Sequence, residues 1–347
     1  MQIQNGISSQ ISTAPASIRP ATRLALQLVS VVIPVYRGER TLEALVTEIV
    51  PLTYEAETAH GRRFQVNEII LVHDGAADRS DRVMELLAER HACVRLVWLS
   101  RNFGQHAATL AGMATTTGDW IVTMDEDGQH NPADIGRMLD QAITGGAQLV
   151  YARPLNKPPH GWFRNAMSRF AKWLFVKALG GAGIGPFHSF RLIDGEVGRS
   201  LAAYCGNRVY LDVALGWVVA RRTDCGVHLR AESGRPSGYT LTKLAKHFLH
   251  LVLTSGTRPL RAIVLLGVFS VLAAVGISAW AIWQKLTDRL DVTGWASVVV
   301  LVCFFAGCIL FSLGVIAEYL GVALSMSMGK PLYMVLARRP RQKADDE

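Results

Sequence analysis

The chain has 347 residues, of which 50% are hydrophobic, and its mean hydropathy of +0.22 is high for a soluble enzyme. This length allows one large domain with an added module. The formal net charge of +8 fits an anionic membrane surface or anionic substrates, whereas no base-reading motif supports binding to nucleic acid. The cysteines form no CxxC pair, which argues against disulfides or a zinc site.

Residues 1–27 are predicted to be a disordered tail, because they are rich in Ser, Gln, Thr and Ala and lack the apolar core of a signal peptide. Strands and helices then alternate up to Ala152. The predicted strands are Val29–Val35, Glu68–Val72, Val94–Leu99, Trp120–Met124 and Gln148–Ala152. The predicted helices are Thr41–Val50, Ser80–His91, Gln105–Thr116 and Pro132–Thr144. This alternation favours an α/β fold with a parallel sheet covered by helices on both faces.

Polar side chains collect where these predicted strands end. The first strand leads to Tyr36 and Glu39, the second to Asp74, the third to Asn102 and the fourth to Asp125. Loops are polar in general, but a carboxylate directly after an apolar run is costly unless it is paired. Since ligands of such folds bind at the carboxyl ends of the strands, we predict a nucleotide-type site at this edge.

The stretch Asp125-Glu126-Asp127 places consecutive carboxylates at the end of an apolar strand. Oxygen ligands of this kind suit a hard divalent cation, and such cations usually bind together with a substrate diphosphate. The sequence therefore predicts a metal and diphosphate site here, with the central Glu126 as a spacer.

A basic segment follows the alternating region. Residues 162–179 have apolar side chains at helical spacing, interleaved with Arg and Lys and without an acid, which is typical of a helix on a membrane surface. A helix packed on the sheet is the alternative. Residues 241–258 form a second amphipathic segment, so the α/β domain is predicted to cover residues 28–240.

Two uncharged stretches, Ala262–Trp283 and Trp295–Ala317, are each long enough to cross a bilayer. They predict a two-helix transmembrane hairpin within residues 259–325, followed by a basic cytoplasmic tail over residues 326–347. Lys and Arg flank the hairpin on both outer sides, so the positive-inside rule places the N-terminal region in the cytoplasm. The prediction is a multi-pass protein of the cell inner membrane.

The segments SVVIPVYRGERTLEAL, EIILVHDGAADRS and LSRNFGQHAATLAGMATTTGDWIVTMDEDGQHNP, with the C-terminal apolar stretches, resemble the family-2 glycosyltransferases of the polyprenyl-phosphate type. The resemblance covers about residues 28–325. It implies a GT-A (Rossmann-like) fold, a nucleotide sugar donor, Mg²⁺ or Mn²⁺, and a polyprenyl (undecaprenyl) phosphate acceptor in the bilayer. It also implies a homo-oligomer, since related enzymes form tetramers, and a product used for a cell-envelope glycan such as lipopolysaccharide.

The resemblance also implies roles for single residues. The nucleotide-binding positions are Pro34, Tyr36, Glu39, Asp74 and Asp125. The metal positions are Asp125, Asp127 and Gln129, and the catalytic positions are Asp127 and Arg191. The acceptor-phosphate positions are Arg153, Arg164, Ser168 and Arg230.

The chain departs from the family pattern in three places. One of two usual acids is replaced at His73-Asp74, and no acid precedes Phe190-Arg191 in GIGPFHSFR. The stretch RAESGRPSGY is looser than the usual Arg-Gly-Ser-Lys-Tyr signature. The resemblance implies that the acid missing before Phe190 contacts the donor sugar in relatives, so the sequence does not identify the sugar.

The predicted reaction needs no dedicated general base. A phosphate monoester has a second pKa of about 6 and is largely ionised at neutral pH, whereas a sugar hydroxyl needs a base to attack. Direct attack inverts the anomeric centre. The alternative is a membrane glycosyltransferase that acts on a glycan or lipid hydroxyl, and a non-catalytic scaffold of the same fold is a third hypothesis, which the retained Asp125 and Asp127 disfavour.

Overall fold

The computed structural model describes residues 25–75, 78–156, 188–206, 210–230, 294–329 and 331–338, with isolated residues between 267 and 287. The strands are β1 (Gln27–Val35), β2 (Ala56–Glu57), β3 (Arg63–His73), β4 (Val94–Leu99), β5 (Trp120–Thr123), β6 (Leu149–Pro154), β7 (Arg191–Asp194), β8 (Arg222–Val227) and β9 (Val335–Leu336). The helices are α1 (Leu42–Ile49), α2 (Ser80–Arg90), α3 (Gln105–Met113), α4 (Ile135–Gly145), α5 (Gly195–Tyr204), α6 (Leu211–Val218) and α7 (Trp295–Ser327). Short 3-10 helices cover Val50–Thr53 and Pro132–Asp134.

The predicted alternation from Leu28 to Ala152 is confirmed, with small shifts at the element ends. The main change is in β3, which begins at Arg63 because Phe64 and Val66 extend its buried face in an alternating pattern. The segment that starts at Pro132 begins as a short 3-10 helix and becomes α-helical at Ile135. Asn131 caps this segment, since its side chain accepts a hydrogen bond from the backbone N–H of Ala133.

Within the described residues, the strands form one sheet in the order β8-β6-β7-β5-β1-β3-β4-β9, and β2 pairs with β3 at the side. Strands β1, β3, β4 and β5 run parallel, as do β6 and β8. The sheet is nevertheless mixed, because β7 lies between β5 and β6 and runs antiparallel to both. The strands predicted between Leu28 and Ala152 do run parallel to one another, and the mixed character comes from β2, β7 and β9, which are short and were not predicted.

Both faces of the sheet are covered, as the α/β prediction requires. Val31 and Ile33 of β1 belong to the core under α1, α2 and α4. Val32, one position between them, belongs to the core under α3, α5 and α6. The contact with α3 is close, since a Cβ at Gly112 would lie 2.4 Å from Cγ1 of Val32. The glycine lets the helix approach the sheet.

Helix α7 contains one stretch, Phe304–Gly321, that is long and apolar enough to cross a membrane by length and composition. Half of the first predicted span, Ala262–Trp283, lies outside the described residues, and its described part includes a shorter apolar helix over Gly267–Ile277. The two-helix hairpin and the multi-pass location are therefore not confirmed.

The chain returns to the sheet after α7. Strand β9 pairs antiparallel with β4, where Leu336 faces Trp98, and the backbone N–H of Ser100 donates to the carbonyl of Met334 at 3.0 Å. Leu332 and Tyr333 pack against the core under α3. Part of the predicted basic tail is thus an edge strand of the catalytic domain.

Candidate active site

A cavity of about 350 Å³ opens at the carboxyl ends of β1, β3, β4 and β5. The parallel strands bring several predicted site residues together there. The cavity is lined by Pro34, Val35, Tyr36, Asp74, Asn102, Gly104, Gln105, Asp125, Glu126 and Asp127. The predicted position of the site, at the strand ends, agrees with this geometry.

Asp125 is held by neighbours on three sides. Its carboxylate accepts hydrogen bonds from Nε2 of Gln105, at the start of α3, and from Oγ of Ser189. Its backbone N–H donates to Nδ1 of His130 at 3.2 Å, and the ring of His130 stacks on Phe190. Asp125 therefore has a fixed orientation at the cavity wall.

Asp127 lies at the start of a tight turn. Its Oδ1 accepts a hydrogen bond from the backbone N–H of Gln129 at 3.0 Å, and Gly128 between them has a φ of +74°. That φ favours glycine. The carbonyl of Gln129 accepts a hydrogen bond from the backbone N–H of Arg230 at 3.0 Å, so the turn is also tied to the residues after β8. The turn keeps Asp127 half-buried beside Asp125.

Glu126 binds the loop after β1. Its Oε2 accepts the backbone N–H of Tyr36 at 2.9 Å, and its Oε1 accepts that of Arg37 at 2.8 Å. The side chain of Tyr36 is 41% exposed at the cavity. The central acid of the motif, predicted to be a spacer, thus contacts the predicted nucleotide-binding loop.

Asp74 makes the corresponding contacts to the loop after β4. Its carboxylate accepts the backbone N–H groups of Phe103 at 2.7 Å and Gly104 at 2.9 Å. Burial raises the pKa of Asp74 to about 6, although these two hydrogen bonds act in the opposite direction. The adjacent Gly75 has a φ of +62°, and a Cβ there would lie 2.5 Å from the backbone nitrogen of Asn102. Both loops that flank the cavity are therefore shaped by carboxylates.

The described residues contain no group of three or more His, Cys, Asp or Glu side chains arranged to hold a metal ion. Asp125 and Asp127 still supply hard oxygen donors at one edge of the cavity. Mg²⁺ is commonly bound by one or two carboxylates together with substrate phosphates. This donor pair fits a cation of that kind.

Arg191 lies in a buried charge pair and does not line the cavity. Its side chain is 4% exposed, and Nη1 is 2.8 Å from Oδ1 of Asp212, although the N–H does not point at that oxygen. Tyr151 donates its hydroxyl to the same oxygen at 3.0 Å. Burial raises the pKa of Asp212, and the positive charge of Arg191 opposes that rise. The positive charge of Arg191 is therefore paired with the buried carboxyl group of Asp212.

The other predicted residues are more scattered. Oε2 of Glu39 accepts the backbone N–H of Arg79 at 3.3 Å, and Arg153 is exposed on β6. The guanidinium of Arg230 pairs with Glu48 at 2.7 Å. Neither Arg153 nor Arg230 lines the cavity. Arg164 and Ser168, predicted to bind the acceptor phosphate, lie outside the described residues.

Gln105 and Ser189 were not predicted as partners of Asp125. Gln105 was identified only as the first residue of a predicted helix. Ser189 precedes Phe190-Arg191 in the segment where the family acid is missing. Its proximity to Asp125 arises because β7 pairs with β5, and the backbone carbonyl of Ser189 accepts the hydroxyl of Thr123. That strand was not predicted, so no local signal pointed to the contact.

Comparison with known sequences gives consistent matches. The profile of "Glycosyl transferase family 2" matches residues 30–205. An undecaprenyl-phosphate 4-deoxy-4-formamido-L-arabinose transferase of Edwardsiella ictaluri is 31% identical over 89% of this chain and 94% of its own length. The enzyme of the same name from Pseudomonas paraeruginosa is 32% identical over 89% and 90%. An uncharacterised glycosyltransferase of Synechocystis is 27% identical over 88% and 94%.

Similar solved structures include glucosyl-3-phosphoglycerate synthase from Mycobacterium tuberculosis. Its complex with phosphoglyceric acid covers 67% of this chain and 80% of that chain, with a TM-score of 0.49 and 20% identity. Its complex with Mn²⁺, UDP-glucose and phosphoglyceric acid has a TM-score of 0.48 and 19% identity, covering 67% and 79%.

Proposed function

The chain belongs to glycosyl transferase family 2, and we propose that it transfers a sugar from a nucleotide diphosphate sugar to a polyprenyl phosphate. The relatives from Edwardsiella ictaluri and Pseudomonas paraeruginosa are undecaprenyl-phosphate 4-deoxy-4-formamido-L-arabinose transferases and match most of this chain. The observation that carries the proposal is the joint position of Asp125, Asp127 and the Tyr36 loop around one cavity. That arrangement suits a ligand with a nucleoside at one end and a diphosphate at the other.

We propose that Asp125 and Asp127 hold Mg²⁺ or Mn²⁺, with Gln129 beside them. When bound, such a cation stabilises negative charge on the departing diphosphate. Gln105 and Ser189 orient the carboxylate of Asp125 toward this task. Pro34, Tyr36, Glu39 and Asp74 are the proposed nucleotide contacts, either directly or through the loops they shape.

The acceptor phosphate supplies its own nucleophile. Its second pKa of about 6 leaves it largely ionised at neutral pH, so attack on the anomeric carbon needs no base and inverts that centre. The carboxylates at the cavity are consistent with this chemistry, since those of Asp74, Asp125 and Glu126 are already hydrogen-bonded to the protein. Asp74 and Glu126 thus shape the site through backbone amides, and Asp125 is the proposed cation ligand.

The arginines predicted from the sequence are proposed to supply positive charge near the acceptor phosphate and the leaving group. Arg153, Arg164 and Arg230, with Ser168, are the proposed acceptor-phosphate residues, and Arg191 is the proposed charge near the leaving group. Arg230 and Arg191 are paired with Glu48 and Asp212. Either arginine must therefore exchange or share its partner when substrate binds. We place this chemistry at the cytoplasmic face of the membrane, near apolar helix α7.

Radiolabelled nucleotide sugars test the function directly. Membranes containing the full chain are incubated with a donor panel that includes nucleotide-linked 4-deoxy-4-formamido-L-arabinose, and with undecaprenyl phosphate. Label should move to the organic phase. Undecaprenol replaces undecaprenyl phosphate in the matched control, because it offers a hydroxyl in place of the phosphate. Transfer to undecaprenol alone would favour a hydroxyl acceptor, and no transfer across the panel would contradict the proposal.

A further inference from the structure

Glu126 links the Asp125–Asp127 stretch to the loop after β1, the two parts of the candidate site proposed to bind the diphosphate and the nucleoside. It stands between Asp125 and Asp127, yet its carboxylate contacts the loop after β1. We propose that Glu126 is a positioning residue that holds the turn Tyr36–Gly38, and so sets donor affinity through the nucleoside end of the cavity. The inference rests on the proposed function only for what the cavity binds.

The contact is specific in geometry. The two carboxylate oxygens accept from consecutive backbone amides, those of Tyr36 and Arg37, at 2.9 and 2.8 Å. Bonds from amides to an ionised carboxylate are stronger than those between neutral groups. The residues involved are 90 and 89 positions apart in the sequence, so the contact joins the end of β5 to the end of β1.

The next residue of the turn leaves room for this carboxylate. A Cβ on Gly38 would lie 2.8 Å from Oε2 of Glu126 and 3.1 Å from Cγ1 of Val35. The backbone N–H of Gly38 donates to Oγ of Ser80 at 2.8 Å. The backbone amides of Tyr36, Arg37 and Gly38 therefore all donate to side chains. Glu126 accepts the first two, and Ser80, at the start of α2, accepts the third. The turn is held from both sides.

The end of β1 and the first residue of the turn form the cavity wall at Pro34, Val35 and Tyr36. A wall held by Glu126 keeps its shape whether or not a cation is bound, because both bonds are within the protein. Donor affinity should consequently depend on Glu126 even in the absence of metal. A metal ligand would behave differently, since its removal would weaken only metal-dependent binding.

Hydrogen exchange measures the contact without any assumption about substrate. In purified full-length protein, Glu126→Ala should speed amide exchange of the peptide containing Tyr36–Gly38 by about tenfold or more, as the loss of charge-assisted bonds implies. Glu126→Gln keeps one acceptor oxygen and should give a smaller increase. Glu43→Ala is the matched control, because Glu43 is an exposed carboxylate on α1 paired with Arg90. It should leave that peptide unchanged.

Nucleotide binding measures the consequence. UDP, GDP, CDP, ADP and dTDP are tested by thermal shift, and the tightest is titrated in Mn²⁺ and again in EDTA. Glu126→Ala should raise its Kd by about tenfold under both conditions, with Glu126→Gln between Ala and wild type. In the transfer assay, KM for the donor should rise while kcat changes less than about twofold.

Unchanged exchange in both Glu126 variants would overturn the inference, as would a loss of affinity seen only with Mn²⁺, which would mark Glu126 as a metal ligand. If Glu126→Ala does not fold, Glu126→Gln carries the same comparisons alone. Failure of the proposed function has a separate signature: no nucleotide binds wild type and no sugar is transferred, while the exchange result still decides whether Glu126 holds the turn.

Discussion

The carboxylate of Asp74 accepts the backbone N–H of Phe103 at 2.7 Å, which joins the end of β3 to the loop after β4. The carboxylate also accepts the backbone N–H of Gly104, the residue directly before α3. Asp74 is only 3% exposed, and burial raises its pKa to about 6. Asp74, predicted to bind nucleotide, thus also shapes the cavity. Because its ionisation lowers the stability of the folded protein, that stability should depend on pH.

Asp74→Asn should remove a pH dependence of stability. A raised carboxyl pKa means that folding favours the protonated form, so the stabilisation is complete below about pH 3.8 and lost as pH rises through about 6. The change corresponds to roughly 3 kcal/mol at most. The thermal midpoint of Asp74→Asn relative to wild type should therefore increase between pH 4 and pH 7. A difference that stays constant over this range would contradict the assigned cause.

Glu68→Gln should show the opposite behaviour. Burial alone would raise the pKa of Glu68, but hydrogen bonds from Ser30, Thr117 and Arg95 outweigh it and lower the pKa. The stabilisation is present above about pH 4.5 and lost as pH falls through the lowered pKa. At pH 7 the substitution should cost about 2 kcal/mol or more, because it weakens several bonds to a buried group. Thermal unfolding at pH 7 and pH 3.5 tests this, and equal losses at both would be inconsistent with it.

Asp127→Asn should abolish most transfer while preserving the fold. Asp127 is half-buried at the cavity, and its bond to Gln129 can be kept by an amide oxygen. Loss of a group that stabilises developing charge typically costs about 10²–10³ in kcat. Transfer to undecaprenyl phosphate and the thermal shift with Mn²⁺ should both fall sharply. Full turnover with metal present would exclude Asp127 from the metal and diphosphate site.

The sequence predicted the elements whose patterns are local. Most of β1 and β5, the second half of β3 and the end of β4 are buried on both faces and therefore form apolar runs in the sequence. The ligand site of such a sheet lies at its carboxyl edge. These two rules predict that Asp74, Asp125 and Asp127 lie close together, and in the structure all three line one cavity.

The remaining features depend on contacts between distant segments. β7 and β9 are short, and they gain their strand conformation from pairing with β5 and β4. The bonds of Glu126 and Asp74 go to backbone amides, which every residue type except proline carries, so no side-chain pattern identifies their partners. The pairing of Arg191 with Asp212 likewise required α6 to be placed against β7.

Removal of β9 should loosen the catalytic domain. A chain ending at residue 329 would lose the pairing of Leu336 with Trp98 and the bond from Ser100 to Met334, and would uncover core contacts of Tyr333. An uncovered edge strand also invites association with other chains. We expect the thermal midpoint to fall by about 5 °C, as a loss of roughly 2 kcal/mol implies.

A chain ending at residue 338 is the matched control, since it keeps β9 and the end of α7 while losing the basic residues that follow. It should unfold at the wild-type temperature. Ser100 immediately precedes the loop that Asp74 holds, so nucleotide affinity should also fall in the shorter chain and not in the control. Equal midpoints and affinities for the two truncated chains would show that β9 contributes nothing to the domain. A loss in both would instead assign the effect to residues 339–347.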